Sequence, residues 1–211
     1  AVGNLTIYIG PSAINGYAHW LQNSPMLWFV RLAMLAIVIG HIWLGVRVTL
    51  ENSRARNISY AAGQTRFKRI IERYMAISGL LILLFILGHI AQMTLGLGAD
   101  DTFYRVDELG YLDVYARVIF SFQNPLIAYS YIAAMLLLGI HLKHSVRALF
   151  QTLGLFHDNY FSFYELVSWL ITLFVVIVLC SIPIAVQLGL LDLPTLSFIS
   201  DQSCISLWRM S

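Results

Sequence analysis

Four stretches of this chain, residues 26–46, 74–98, 125–142 and 166–191, are nearly free of charge and mostly near or beyond the roughly 20 residues a helix needs to cross a membrane. The third is short, but residues 118–124 can extend it by two turns. In lipid every backbone N–H and C=O must be paired within its own segment or in a closed barrel. The alternating pattern of a barrel strand is absent, so the runs are read as helices. Composition agrees: charged residues are 11% and hydrophobic residues 59% of the chain, where a water-soluble domain carries about 25% charged residues. The expectation is an all-α transmembrane helix bundle in one domain, 1–211, with helices over about 25–49, 70–97, 118–149 and 162–190. No internal repeat or Gly/Ser linker divides it.

The placement of charge orients the bundle. Seven of the 13 Lys and Arg residues lie between Arg47 and Arg73, which by the positive-inside rule makes that loop cytoplasmic. It is read as a topology signal and a docking surface, not as a nucleic-acid site. The loop 98–117, with Asp100, Asp101, Asp107, Glu108 and Asp113, then lies outside, as do residues 1–24 and the tail 191–211. Residues 1–24 carry no charged side chain and, with Gly10, Pro11, Asn15 and Gly16, read as a partly helical outer connection. An amino terminus placed outside needs something upstream to carry it across, so a fifth spanning helix is expected before Ala1. Cys180 and Cys204 form no CxxC, CxxCH or zinc pattern, which argues against covalent c-type haem and cysteine-held clusters within the chain.

Ionisable side chains inside a membrane point to function by default. His41, His89 and His141 each stand late in a run, but consecutive helices run in opposite directions. At about 1.5 Å per residue, His41 and His141 lie roughly 9 Å before Arg47 and Arg147, at one inner level, while His89 lies about 24 Å from Arg73, at an outer level. "HIWLGVR" at 41–47 and "HLKHSVR" at 141–147 share His, a small residue four later, then Val-Arg. Two facing neutral imidazoles can supply both axial nitrogens to a haem iron, and bundle cores are where cofactors sit between helices. Gly40, Gly88 and Gly139 lie near the histidines, where a flat macrocycle can approach the backbone. Arg47 and Arg147 are placed to neutralise haem propionates. Arg31, about 15 Å outward of His41, needs a fixed anion or a water cavity, met by a propionate of an outer haem or by a quinone pocket. His144, one turn past His141, reads as a propionate or quinone neighbour. His19 is read as interfacial and His157 as solvated.

These residues, in this order, resemble a known family. "GNL" at 3–5, "GPSAINGYAHW" at 10–20, "RLAMLAIVIGH" at 31–41, "NSRARNISY" at 52–60, "RYMAISGLLILLFILGH" at 73–89 and "GIHLKHSVRALFQTLG" at 139–154 are similar to the dihaem cytochrome b membrane anchor of succinate dehydrogenase and fumarate reductase, the single-subunit type with five helices. In that family four histidines on the first four helices hold two stacked haems, and the last helix supplies none. The resemblance implies that His41 and His141 hold the inner haem b and His89 one side of the outer. The spacing from His141 to Gly154 matches at His141 rather than His144. The fourth ligand has no counterpart in residues 1–211 and is expected immediately before Ala1. The last helix here contains no histidine and carries Pro183, read as a kink.

The function implied is electron transfer, in the cytoplasmic membrane, from a flavoprotein subunit and an iron–sulfur subunit on the basic inner face to a quinone, menaquinone in many such anchors. Tyr17, Trp20 and Arg31 are the outer-side quinone candidates. Two other readings stand beside it. One is a haem b subunit of another dehydrogenase, such as a hydrogenase. The other is a haem-free anchor or transporter whose histidines pair between helices.

Overall fold

The computed structural model describes residues 2–55, 66–97, 101–154, 157 and 160–193, and no strand occurs among them. The elements are α1 (Val2–Leu5), α2 (Pro11–Asn23), α3 (Met26–Ala55), α4 (Arg66–His89), α5 (Val114–Gln123), α6 (Pro125–Thr152) and α7 (Phe161–Gln187). Four of these helices, α3, α4, α6 and α7, are long and apolar enough to cross a membrane; α4 reaches that length with the π-helical turn that follows it. The tail beyond residue 193, with Cys204, lies outside the described residues, as do positions 56–65 of the basic loop and positions 98–100 of the acidic one.

Local chemistry explains where the helices stop. Pro11 opens α2 at a position whose N–H has no helical partner. α3 is apolar all round and runs to 30 residues, which is what a helix bathed in hydrocarbon shows. α4 loosens into a π-helical turn, Ile90–Thr94, and ends at Gly96, whose φ of 66° suits a residue without a Cβ. Asp113 caps α5 by accepting from Ala116 N at 3.0 Å.

The helix expected over 118–149 is two helices. Asn124 leaves the helical conformation, its side chain accepts from Leu126 N at 3.0 Å, and Pro125 begins α6. The residue before a proline is pushed toward extended backbone, so the break belongs at Asn124. α5 consequently lies outside the spanning segment. Pro183, by contrast, sits inside α7 and is fully buried.

The core lies at the end of the bundle away from the basic loop. Ile7, Ile14, Tyr115, Ile119, Phe122, Ala128, Ile182 and Val186 pack together there, so the first 23 residues and α5 form a cap over α6 and α7. Asn15 pins the cap. Fully buried, it donates from Nδ2 to Asp107 Oδ2 at 3.2 Å and Asp113 Oδ1 at 3.1 Å, and its Oδ1 accepts from Tyr115 N at 3.0 Å. Arg117 closes the end of the π turn: Nη1 donates to Met93 O at 3.5 Å and Nη2 to Phe103 O at 2.6 Å, with the guanidinium 3.6 Å over the Phe103 ring. Burial pulls its pKa down, and the nearby Tyr104 and Asp113 oppose that.

Toward the basic end α3 is the loosely held helix. α6 and α7 pack along their length, with Gly139 against Val176 and Thr172. α3 leans on α4 and α2, and its flanks are largely uncovered by protein.

Candidate functional site

His41 on α3 and His141 on α6 face each other across this open part of the bundle. Their ring centroids are 6.3 Å apart and their planes 79° apart. The two helices run in the same direction, and each histidine precedes its arginine by six residues, so the rings meet at one depth. His141 is half-buried and His41 exposed.

α4 supplies the floor beneath His141. Ser78 is buried, and its Oγ lies 2.9 Å from His141 Nδ1 and donates to Met75 O at 3.1 Å. Gly79, the next residue, is so close that a Cβ there would stand 3.6 Å from His141 Cε1. Sequence reasoning passed over both. The signal was available, since Ser78 stands five residues past Arg73, at the depth where His41 and His141 precede their arginines.

His89 occupies a second level, eleven residues beyond Ser78 on the same helix, hence about 16 Å along the axis. It is the last residue of α4 before the π turn. Such turns gather at functional sites, because the extra residue re-aims the side chains around it. The His89 Nδ1 is 3.1 Å from the Tyr131 hydroxyl of α6, and that hydroxyl donates to Gln92 Oε1 at 3.0 Å. Phe85 stacks near the imidazole at 6.2 Å. Gln92 lies within the π turn and Tyr131 six residues into α6, and neither was singled out from sequence.

The arginines are less closely gathered. Arg47 donates from Nε to Glu51 Oε1 at 2.8 Å and lies over Trp43, on a face turned about 120° from His41. The groove there, lined by Trp43, Leu50 and Arg54, is likewise on that far face. Arg31 lies over Trp28, 5.2 Å from the ring centroid, and is exposed. The side chain of Arg147 lies outside the described residues. His144 is half-buried on α6, one turn past His141. Its neighbour Lys143 meets Glu165 of α7 at 3.7 Å and lies over Trp169. Tyr17 and Trp20 sit on α2, with ring centroids 6.1 Å apart, Tyr17 against Gly3 in the cap. His19 stacks on Tyr111 at 3.8 Å.

The glycines divide. Gly40 and Gly88 open onto space with no atom within 4 Å of a built Cβ, whereas Gly139 is used up against α7. Among the described residues, no three His, Cys, Asp or Glu side chains converge to hold a bare metal ion. Two facing imidazoles can serve as the protein ligands of a haem, whose macrocycle brings the remaining nitrogens.

The chain matches no protein-family model, no curated protein and no solved structure.

Proposed function

We propose that this chain is the haem b-binding membrane anchor of a succinate:quinone oxidoreductase, and that His41 and His141 hold the iron of its inner haem. The observation that carries the haem reading is the distance between the two rings. An imidazole nitrogen sits about 2 Å from a bound metal with the ring centre about 1 Å behind it, so two imidazoles on opposite sides of one metal have centres about 6 Å apart. The 6.3 Å between His41 and His141 fits that arrangement, and the open flanks around Gly40 leave room beside it. The choice of succinate chemistry is supported by the ordered sequence strings that resemble the dihaem anchors.

A haem held there supplies reversible one-electron chemistry within the bilayer. The chain's own residues ligate, bury and tune. His89 is a ligand of the outer haem. His144 and Arg147 serve propionates at the basic end, and Arg47, whose side chain lies on the face turned from His41, reaches them only by leaving Glu51 and Trp43. Arg31, with Tyr17 and Trp20, serves the outer side, where a quinone, menaquinone in many anchors of the type this chain resembles, is bound. A flavoprotein and an iron–sulfur subunit dock on the basic loop in the cytoplasm.

A direct edge-to-face contact between two rings also spans 4.5–7 Å, and this favours the haem-free pairing as the second reading. A reduced-minus-oxidised spectrum of the assembled membrane complex separates them. Haem b bands are expected, reducible by succinate in a preparation containing a flavoprotein partner. His41→Ala and His141→Ala should each lose the inner haem and keep the outer. Absence of the bands in the wild-type complex eliminates both redox readings, and haem reduced by another donor but not by succinate moves the chain to another dehydrogenase.

A further inference from the structure

His141 and His89 lie on different helices, at different depths, yet each leans through Nδ1 on a hydroxyl that gives its own hydrogen elsewhere. Ser78 donates to Met75 O, and Tyr131 donates to Gln92 Oε1. A hydroxyl has one hydrogen and two lone pairs. With that hydrogen committed to an oxygen that can only accept, the hydroxyl meets the imidazole as an acceptor. Its partner nitrogen must then carry the proton. The Ser78 case is the tighter, since a backbone carbonyl has no hydrogen to return. The Nδ1 to hydroxyl separations are 2.9 Å in His141 and 3.1 Å in His89, and in this arrangement Nδ1–H is the donor in each. A neutral imidazole protonated at Nδ1 leaves the lone pair on Nε2, the nitrogen farther from the backbone.

We propose that Ser78 and Tyr131 are positioning residues that hold His141 and His89 in the tautomer with Nε2 free to bind iron, and that they set the potential of the haem each histidine holds. The inference rests on the haem reading above. Metal-bound imidazoles that donate their other N–H are better oriented and more basic ligands. An acceptor at Nδ1–H draws that proton, makes the imidazole more electron-rich and favours the oxidised iron. Removing the acceptor therefore moves the potential upward. Because the two hydroxyls serve different levels about 16 Å apart, each substitution should act on one haem alone.

The test is a redox titration, followed by visible spectra and low-spin electron paramagnetic resonance, of the whole complex isolated from membranes. Ser78→Ala is expected to raise the midpoint of the inner haem and leave the outer unchanged. Tyr131→Phe is expected to raise the outer and leave the inner. Ser78→Thr, which keeps the hydroxyl, should restore the wild-type inner midpoint. Loss of the inner haem in Ser78→Ala but not in Ser78→Thr supports the role equally, because the hydroxyl is then what holds the ligand. Loss in both, or an unshifted midpoint in a haem-loaded Ser78→Ala, overturns it for His141; an unshifted or lost outer haem in Tyr131→Phe overturns it for His89. A wild-type complex without haem b bands instead removes the haem reading itself.

Discussion

Asn15 spends each end of its side-chain amide on a partner far along the chain, two carboxylates on one side and the Tyr115 N–H on the other. Replacing it with alanine leaves a buried N–H unmet and brings Asp107 and Asp113 together without the donor between them. The expected loss is about 1–3 kcal/mol, read as a lower unfolding midpoint in detergent. Asn15→Asp adds a third carboxylate and should cost at least as much at neutral pH, and an unchanged midpoint in both would remove Asn15 from the role given it here. From sequence, Asn15 was legible only as a polar residue in a connection, because its partners are 92 and 98 positions away. The histidines were more legible: an imidazole in an apolar run is costly, and a cost is visible in one dimension. Ser78 and Tyr131 were not, since a serine on a membrane helix commonly bonds its own preceding turn and a tyrosine reads as one more large side chain, and only the neighbouring helix shows that each does more.

At the scale of elements, glycine separates two uses that look alike in the chain. Gly139 was expected beside a macrocycle, yet a Cβ there would come 2.5 Å from Val176 Cγ2 on α7. It is a packing glycine of the kind membrane helices use to approach closely. Gly139→Leu should force α6 and α7 apart and lower stability by about 1–3 kcal/mol. Gly40→Ala should not loosen the α6–α7 contact or lower stability, since Gly40 lies on α3, its Cβ meets no neighbouring side chain and alanine is the better helix former. Equal unfolding midpoints for the two variants would show that the α6–α7 contact does not depend on that residue. The helix ends follow similar logic. Asn124 followed by Pro125 is a capping pair readable from sequence, but the length needed to span a membrane carried the expected helix across it. The π turn after His89 has no signature in the residues themselves.

The whole molecule is unevenly held. α6, α7 and the cap share the core, while α3 touches α4 and α2 and reaches α6 through the two imidazoles. If a haem bridges His41 and His141, it also ties α3 to the bundle. Amide exchange in detergent should then accelerate in α3 when His141 is replaced by alanine, while α6 and α7 remain protected. Unaltered exchange in α3 would mean that the bridge contributes nothing to holding it.

The sequence by itself determined that four helices can cross a membrane, the end on which basic charge gathers and the depth of each histidine. These are one-dimensional quantities: hydrophobic length, charge position and a rise of about 1.5 Å per residue. The pairing of His41 with His141 was already legible from their shared depth and matched strings; tertiary structure alone decided which hydroxyls brace the histidines and that α5 turns aside into the cap. Those depend on the rotation of each helix about its own axis, and in this bundle that rotation is set by partners on other helices, such as Val176 against Gly139 and Ser78 against His141.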